Sequence, residues 1–204
     1  MAVHFKKKIS VHPGAQTTSI MGLDGSATST GITIFSRNGS LLATYRLQPK
    51  INGAARLREI HEAFRVLLTK HAVGLVILEG YAYGNVNTLA TLAEVGGVLR
   101  LAMAMYGVPY LSVSPNSLKQ FATGKANAKK EEVMKDVYKR WGFDSPGNDI
   151  ADAYVLGRVG LCLLELTPTE NSIQKQVVQT IAKNPLSAEV IKLQRSLYPT
   201  AMEG

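Results

Sequence analysis

A short apolar run, Ser19 to Leu23, ends on one acidic residue, Asp24, and that placement constrains the chain more than any other feature. Small and hydroxyl residues follow, and a second apolar run, Gly31-Ile-Thr-Ile-Phe35, comes after them. The pattern predicts two strands with a carboxylate at the end of the first. A carboxylate there is expensive to bury unpaired, so it either meets solvent or has a cationic partner. The partner offered by the rest of the sequence is a metal ion shared with Glu79, Asp149 and Asp152.

The surrounding elements follow from local patterns. Arg37-Asn38-Gly39-Ser40 contains an Asn-Gly turn, the strongest short hairpin signal. Strands are therefore predicted at 19–24, 30–36 and 41–47, in antiparallel order. Leu57, Ile60, Phe64, Leu67 and Leu68 recur at helical spacing and predict a helix over 53–70. Val73-Gly-Leu-Val-Ile-Leu78 is an almost continuous apolar run that ends in Glu79. A run of this kind suits a strand buried on both faces, as in a parallel sheet. A long helix is expected over 87–106, with Gly96-Gly97 in its middle. Each glycine there costs roughly 1 kcal/mol relative to alanine, and close backbone approach, on the sheet or at a subunit interface, is the usual compensation. A fifth strand is predicted at 108–113, a short helix at 116–122 after Ser114-Pro115, a charged helix at 128–141 and an apolar helix at 149–165. The fold class is thus α/β, with a five-stranded mixed sheet of three antiparallel and two parallel strands flanked by helices. Three segments are expected: a basic arm over 1–18, a main domain over 19–166 and a helical extension over 167–204.

Four carboxylates stand out by position. Asp24 and Glu79 end two strands that, as parallel neighbours, bring both groups to one edge of the sheet. Asp149 and Asp152 are three residues apart and project from one side of a helix. Each has an ordinary structural alternative: a turn cap for Asp24, a strand end for Glu79, a favourable helix start for Asp149. Asp152, between Ala151 and Ala153 in an apolar helix, is the hardest to explain without a counter-charge. Together they form a set of hard oxygen ligands suited to magnesium or manganese rather than zinc. Two divalent ions about 4 Å apart would neutralise them and drive in-line attack on a phosphodiester. The net charge of +8 gives a polyanion a reason to approach.

In this order and context, the sequence resembles the RuvC family of Holliday junction resolvases, on the ribonuclease H-like fold. Gly22-Leu-Asp24 with Thr30-Gly31 resembles the family's first motif, and Leu78-Glu79 its second acidic position. Asn148-Asp149-Ile-Ala-Asp152-Ala-Tyr154 resembles the closing Asp-x-x-Asp-Ala helix, and Lys119-Gln120 and Ala128-Lys-Lys-Glu131 resemble the DNA-contacting segments. Gly25-Ser26 stands where the family often has Pro-Gly; this, the arm and the tail resemble phage-type members. The resemblance implies a homodimer that makes paired nicks across a four-way DNA junction, with two Mg²⁺ ions per site, Mn²⁺ substituting. Asp24, Glu79, Asp149 and Asp152 would be the catalytic metal ligands, with Asp24 bridging both ions.

For DNA binding, Lys119, Lys125, Lys129 and Lys130 are candidates for phosphate contacts, with a solvated helix face as their ordinary alternative. Tyr81 or Tyr83 would stack on bases at the crossover, and Asn85 and Asn87 would reach the backbone or cap the helix that follows. The closest competing function is a flap or RNA–DNA hybrid nuclease of the same fold. An actin-like phosphate-binding ATPase, suggested by Asp24-Gly-Ser, lacks its second glycine-rich motif, and an inactive DNA-binding module leaves Asp152 unexplained. No nucleotide cofactor and no membrane segment are expected. The single cysteine, Cys162, leaves no disulfide framework, which fits a reducing cytoplasm, that of the host if the gene is carried by a phage.

Overall fold

The computed structural model describes residues 19–26, 28–80 and 86–197, the backbone alone for 86–88. The predicted arm and Tyr81, Tyr83 and Asn85 lie outside the described residues, and for Asn87 only the backbone is described.

A five-stranded sheet in the order β3-β2-β1-β4-β5 forms the centre. Its strands are β1 (Ser19–Gly25), β2 (Thr30–Phe35), β3 (Leu41–Leu47), β4 (Val73–Glu79) and β5 (Tyr110–Val113). β1, β2 and β3 pair antiparallel, whereas β4 runs parallel to β1 and β5 parallel to β4. The Asn38-Gly39 turn sets the first hairpin, with Gly39 at φ 88, a conformation glycine adopts without steric cost. The crossover between β1–β3 and β4 is α1 (Gly53–Lys70), as the 3.6-residue pattern predicts. Helix α2 (Val86–Met105) links β4 to β5.

β5 starts two residues later than expected, at Tyr110. Pro109 has no N–H to give a ladder; its carbonyl instead accepts from Val76 at 3.1 Å, while the Val108 N–H turns back to the Met103 carbonyl of α2 at 2.9 Å. After β5 come α3 (Pro115–Thr123), α4 (Lys130–Trp141) and α5 (Asn148–Leu163). Ser114 caps α3 by accepting from the Ser117 N–H at 3.1 Å, with Pro115 in the first turn.

The sheet separates two apolar layers. Met21, Leu23, Ile32, Ile34, Val76 and Leu78 face α1 and α2, meeting Ile60, Phe64, Leu99 and Met103. Ile20, Phe35, Leu75, Ile77 and Leu111 face α5 and the helices around it. This alternation puts Asp24, Arg46 and Glu79 on the α5 side, since each is in phase with residues of that layer. Helix α5 lies unusually close to the sheet. A methyl group on Gly22 would overlap the Ala153 carbonyl, and one on Gly31 would overlap the Asp149 carbonyl. The Thr33 hydroxyl fills the interval by donating to the Ala153 carbonyl at 2.8 Å.

The chain continues into α6 (Ser172–Ala182) and α7 (Pro185–Leu197). Asn184 accepts from the Leu186 N–H at 3.1 Å, so Asn-Pro both ends α6 and starts α7. Val177, Ile181 and Ile191 are buried in the same layer as α5. Glu170 anchors the connection: it accepts from Trp141 Nε1 at 2.5 Å and stands 3.8 Å from both Arg140 and Arg158. Among the described residues no helix is long and apolar enough to cross a membrane.

Candidate active site

At the C-terminal edge of β1 and β4, a cavity of about 300 Å³ is lined by Asp24, Glu79 and Asp152. Leu23 pairs with Leu78 in parallel register, so the next residues along, Asp24 and Glu79, emerge side by side. Asp152 reaches the cavity from the second turn of α5, whose close seating on Gly22 and Gly31 brings its backbone within a side chain's length of Asp24. Asp24 is only 7% exposed. Lys119 from α3 and Lys130 from the start of α4 complete the polar lining, with Gly96 and Arg100 of α2 on the opposite wall.

The electrostatics are those of crowded negative charge. Burial raises the Asp24 carboxyl well above the ordinary carboxylate range, and a hydrogen bond with Glu79 and the charges of Glu79 and Asp152 push it the same way. A hydrogen bond between two carboxyls requires a proton on one of them. Burial likewise pushes Asp152 to about 7, helped by Glu79 and opposed by Lys130 and Lys119. Two lysines therefore offset the cluster without neutralising it. Among the described residues, no three acidic, His or Cys side chains close up as a finished coordination sphere would require. The three carboxylates instead surround an open cavity. The three carboxylates are an all-oxygen donor set with unmet negative charge, which fits a hard divalent cation, and neither His nor Cys lines the cavity to favour zinc.

Asp149 departs from the expected arrangement. It does not line the cavity. Its carboxylate receives Arg46 Nε at 2.7 Å and Arg46 Nη2 at 2.5 Å, together with the Ser29 hydroxyl at 2.9 Å. Against the cost of burial, Arg46 and Ser29 hold Asp149 below the usual carboxylate range. The reason is helical geometry: residues three apart diverge by about 60° around the axis. With the first turn of α5 seated over Gly31, Asp149 leans toward β3 and Asp152 toward β1 and β4. Arg46 and Ser29 were not anticipated from the sequence.

Of the four candidate lysines, Lys119 and Lys130 line the cavity, whereas Lys125 and Lys129 do not. Lys125 is exposed and 4.0 Å from Glu132, and the Lys129 N–H donates to the Glu132 carboxylate at 2.8 Å as α4 begins. Arg100 is an addition to the expected set; its guanidinium lies over the Tyr110 ring, 5.8 Å from the centroid.

Comparison with known proteins shows the family and the fold. The family model of the crossover junction endodeoxyribonuclease RuvC matches residues 20–157. The chain belongs to the RuvC family. The RuvC of Rhodopirellula baltica is 29% identical over 161 residues, covering 74% of this chain and 90% of its own. The RuvC of Carboxydothermus hydrogenoformans is 27% identical over 148 residues, covering 69% and 94%. Thermus thermophilus RuvC, solved in complex with Holliday junction substrate, superposes with a TM-score of 0.61 at 22% identity over 69% of this chain and 90% of that one. The yeast mitochondrial Holliday junction resolvase Ydc2 superposes with a TM-score of 0.50 at 12% identity, over 89% of this chain. RuvC enzymes are metal-dependent nucleases, which accords with the donor set of the cavity.

Proposed function

We propose that this protein resolves four-way DNA junctions by divalent-cation-dependent hydrolysis of phosphodiester bonds, at the cavity between Asp24, Glu79 and Asp152. The observation that carries the reading is the convergence of three carboxylates from two strands and a helix on one open cavity edged by lysines. Asp24, Glu79 and Asp152 would hold Mg²⁺ or Mn²⁺, in the two-ion manner expected for this chemistry. Bound there, such cations supply Lewis acidity, activating water and offsetting charge on the leaving oxygen.

The chain's own residues have separable tasks. Asp24, deepest of the three, fixes the position of the cation site relative to the sheet. Lys119 and Lys130 draw a phosphate to the mouth of the cavity and orient it against the carboxylates, which would otherwise repel it. Lys125 and Lys129 extend the positive rim along the loop before α4. Tyr81, Tyr83, Asn85 and Asn87 follow Glu79 directly in the chain, so this segment starts at the site and is the reading's choice for contacts to bases at the crossover.

A junction with two-fold symmetry calls for two equivalent sites, which an isologous dimer provides. Helix α2 offers the surface. Ala90, Ala93, Gly97, Leu101 and Ala104 form an exposed stripe along it, Leu101 is 57% exposed and Met105 is 64% exposed, and nothing lies within 4 Å of where a side chain on Gly97 would begin. The reading puts the protein in the cytoplasm, that of the host cell if the gene is carried by a phage.

The test is cleavage of a matched set of substrates: a four-way junction, a flap, a linear duplex and an RNA–DNA hybrid, each with and without Mg²⁺. Symmetric paired nicks in the junction, dependent on the cation and lost in Asp24→Asn, are expected. Equal cleavage of the flap or the hybrid would transfer the protein to the competing nuclease class.

A further inference from the structure

Three helices carry side chains into the cavity, and the chain that follows them grips each at its C-terminal end. α3 brings Lys119, α4 begins at Lys130 and α5 brings Asp152. At the end of α3, the Lys125 N–H donates to the Thr123 hydroxyl at 3.0 Å, which leaves the Phe121 carbonyl among the orphan acceptors of a helix end. Gln174 of α6 takes it. Its Nε2 donates to the Phe121 carbonyl at 3.3 Å, while its Oε1 accepts from the Glu170 N–H at 2.8 Å. Gln174 is 1% exposed, so both bonds lie away from water, where an unmet polar group is costly. At the end of α4, the Glu170 carboxylate accepts from Trp141 Nε1. At the end of α5, Arg195 of α7 donates to the Leu163 carbonyl at 2.7 Å, a cation where the helix dipole favours one.

The extension thus meets the site from behind. None of its described residues lines the cavity, and residues 167–204 hold four basic and three acidic side chains, which offers little to a phosphate. It also lies beyond residues 20–157, the part matched by the family model. α3 has nine residues, too few for a helix to persist alone, so its position is set by what it packs against. Ile173 Cδ1 lies 3.4 Å from where a side chain on Gly124 would begin, which seats α6 against the end of α3.

We propose that the C-terminal extension is a clamp on the helices that bear the site, and that Gln174 is the positioning residue through which it sets Lys119. The inference rests on the reading of the cavity as the place where a phosphodiester is cut. Without the Gln174 amide, α3 loses its hold two residues from Lys119, and the ammonium no longer meets the phosphate at the same point. The carboxylates on β1, β4 and α5 stay in place.

The experiment is a double-mutant cycle on the full chain. Single-turnover cleavage of a four-way junction with Mg²⁺ at saturating enzyme is measured for wild type, Gln174→Met, Lys119→Ala and the double variant, and Mn²⁺ affinity is measured by calorimetry. Gln174→Met keeps the length of the side chain without its polar atoms. It is expected to slow cleavage about tenfold, since a misplacement of roughly 1 Å costs about 10²-fold. Lys119→Ala is expected to slow it about 10²-fold. The double variant should be no slower than Lys119→Ala, and Gln174→Met should bind Mn²⁺ like wild type. A residue that only supports the fold would lower the melting temperature and leave the rate of the folded enzyme unchanged. Gln174→Asn, one methylene too short to span both bonds, replaces the methionine variant if that one fails to fold. If the Gln174 variant cleaves like wild type, if its loss multiplies that of Lys119→Ala, or if it weakens Mn²⁺ as well, Gln174 does not act through Lys119, and the assignment is overturned while the nuclease reading stands. If wild type leaves the junction intact, or Lys119→Ala cleaves it at the wild-type rate, the reading of the cavity fails and the inference fails with it.

Discussion

Asp24 and Arg46 stand in one cross-strand row, with only Gly31 between them: Asp24 pairs with Gly31, and Gly31 pairs with Arg46. The row carries a carboxylate, a gap and a guanidinium, all on one face of the sheet. The first turn of α5 drops into the gap, and the two aspartates of that helix separate to either side. Asp149 meets the guanidinium and Asp152 meets the carboxylates. The site is therefore set by the missing side chain at position 31 as much as by the charged ones.

Gly31→Ala tests this directly. The added methyl would overlap the Asp149 carbonyl, and the helix must lift to admit it. Overpacking of this kind costs about 1–3 kcal/mol. The variant is expected to unfold at correspondingly lower urea concentration and to lose most cation-dependent cleavage, because Asp152 moves with the helix. Unchanged stability and activity would show that α5 is not seated as described.

The cation-free protein is expected to be more stable in mild acid than at alkaline pH. Burial holds Asp152 at about 7 in the folded chain, against an ordinary value of 3.8. Between those values the folded state keeps a proton that the unfolded state has released, so stability falls as pH rises through the window. The slope contributed by one such group is at most about 1.4 kcal/mol per pH unit. Asp24 shifts in the same direction and adds to the trend. Mn²⁺ should therefore raise the melting temperature strongly at pH 8 and weakly at pH 5. Thermal scans across pH, with chelator and with Mn²⁺, check the prediction; a flat profile in chelator contradicts it.

Asp152→Asn should separate stability from function. It removes one charge from a cluster that two lysines only partly offset. In chelator at pH 8 the variant is expected to be more stable than the parent by about 1–2 kcal/mol and to have lost cation-dependent cleavage. Denaturation with urea measures the first effect and a junction assay the second. A less stable variant would mean that Asp152 is satisfied by partners in the folded state and contributes to the fold.

Most of the architecture was legible because periodicity and turn chemistry agree locally: the Asn38-Gly39 hairpin, the apolar run into Glu79 and the helical spacing over 53–70 each point to one element. The meeting of Asp24 with Glu79 was legible too, since both end adjacent parallel strands. Arg46 was not, and the reason is a slip in register. Between Ile34 and Phe35 the β2–β3 pairing shifts by one residue. Counting outward from the turn without that bulge sets Arg46 opposite Thr30 rather than Gly31, on the other face of the sheet. The divergence of Asp149 from Asp152 was hidden for a related reason. Their spacing of three in the sequence says that they are neighbours on a helix, but which of them faces the cavity depends on how the helix is rotated against the sheet. Glycines at 22 and 31 fix that rotation, and the sequence does not reveal which backbone they admit.

The four candidate lysines should divide into two kinds. Lys119 and Lys130 line the cavity and would act on the phosphate that is cut. Lys125 and Lys129 lie outside it and would contact phosphates further along the strand. Lys125→Ala with Lys129→Ala is expected to weaken junction binding and to reduce the slope of log K against log salt by about 1 for each phosphate left without its lysine, with little change in the rate of the bound complex. Lys130→Ala is expected to lower the single-turnover rate at saturating enzyme by about 10²-fold or more, with a smaller effect on affinity. Binding isotherms at several salt concentrations and single-turnover cleavage distinguish the two groups. If Lys130→Ala changes only the salt slope, its place at the cavity wall has no part in the chemistry, and the lysines form one continuous phosphate track.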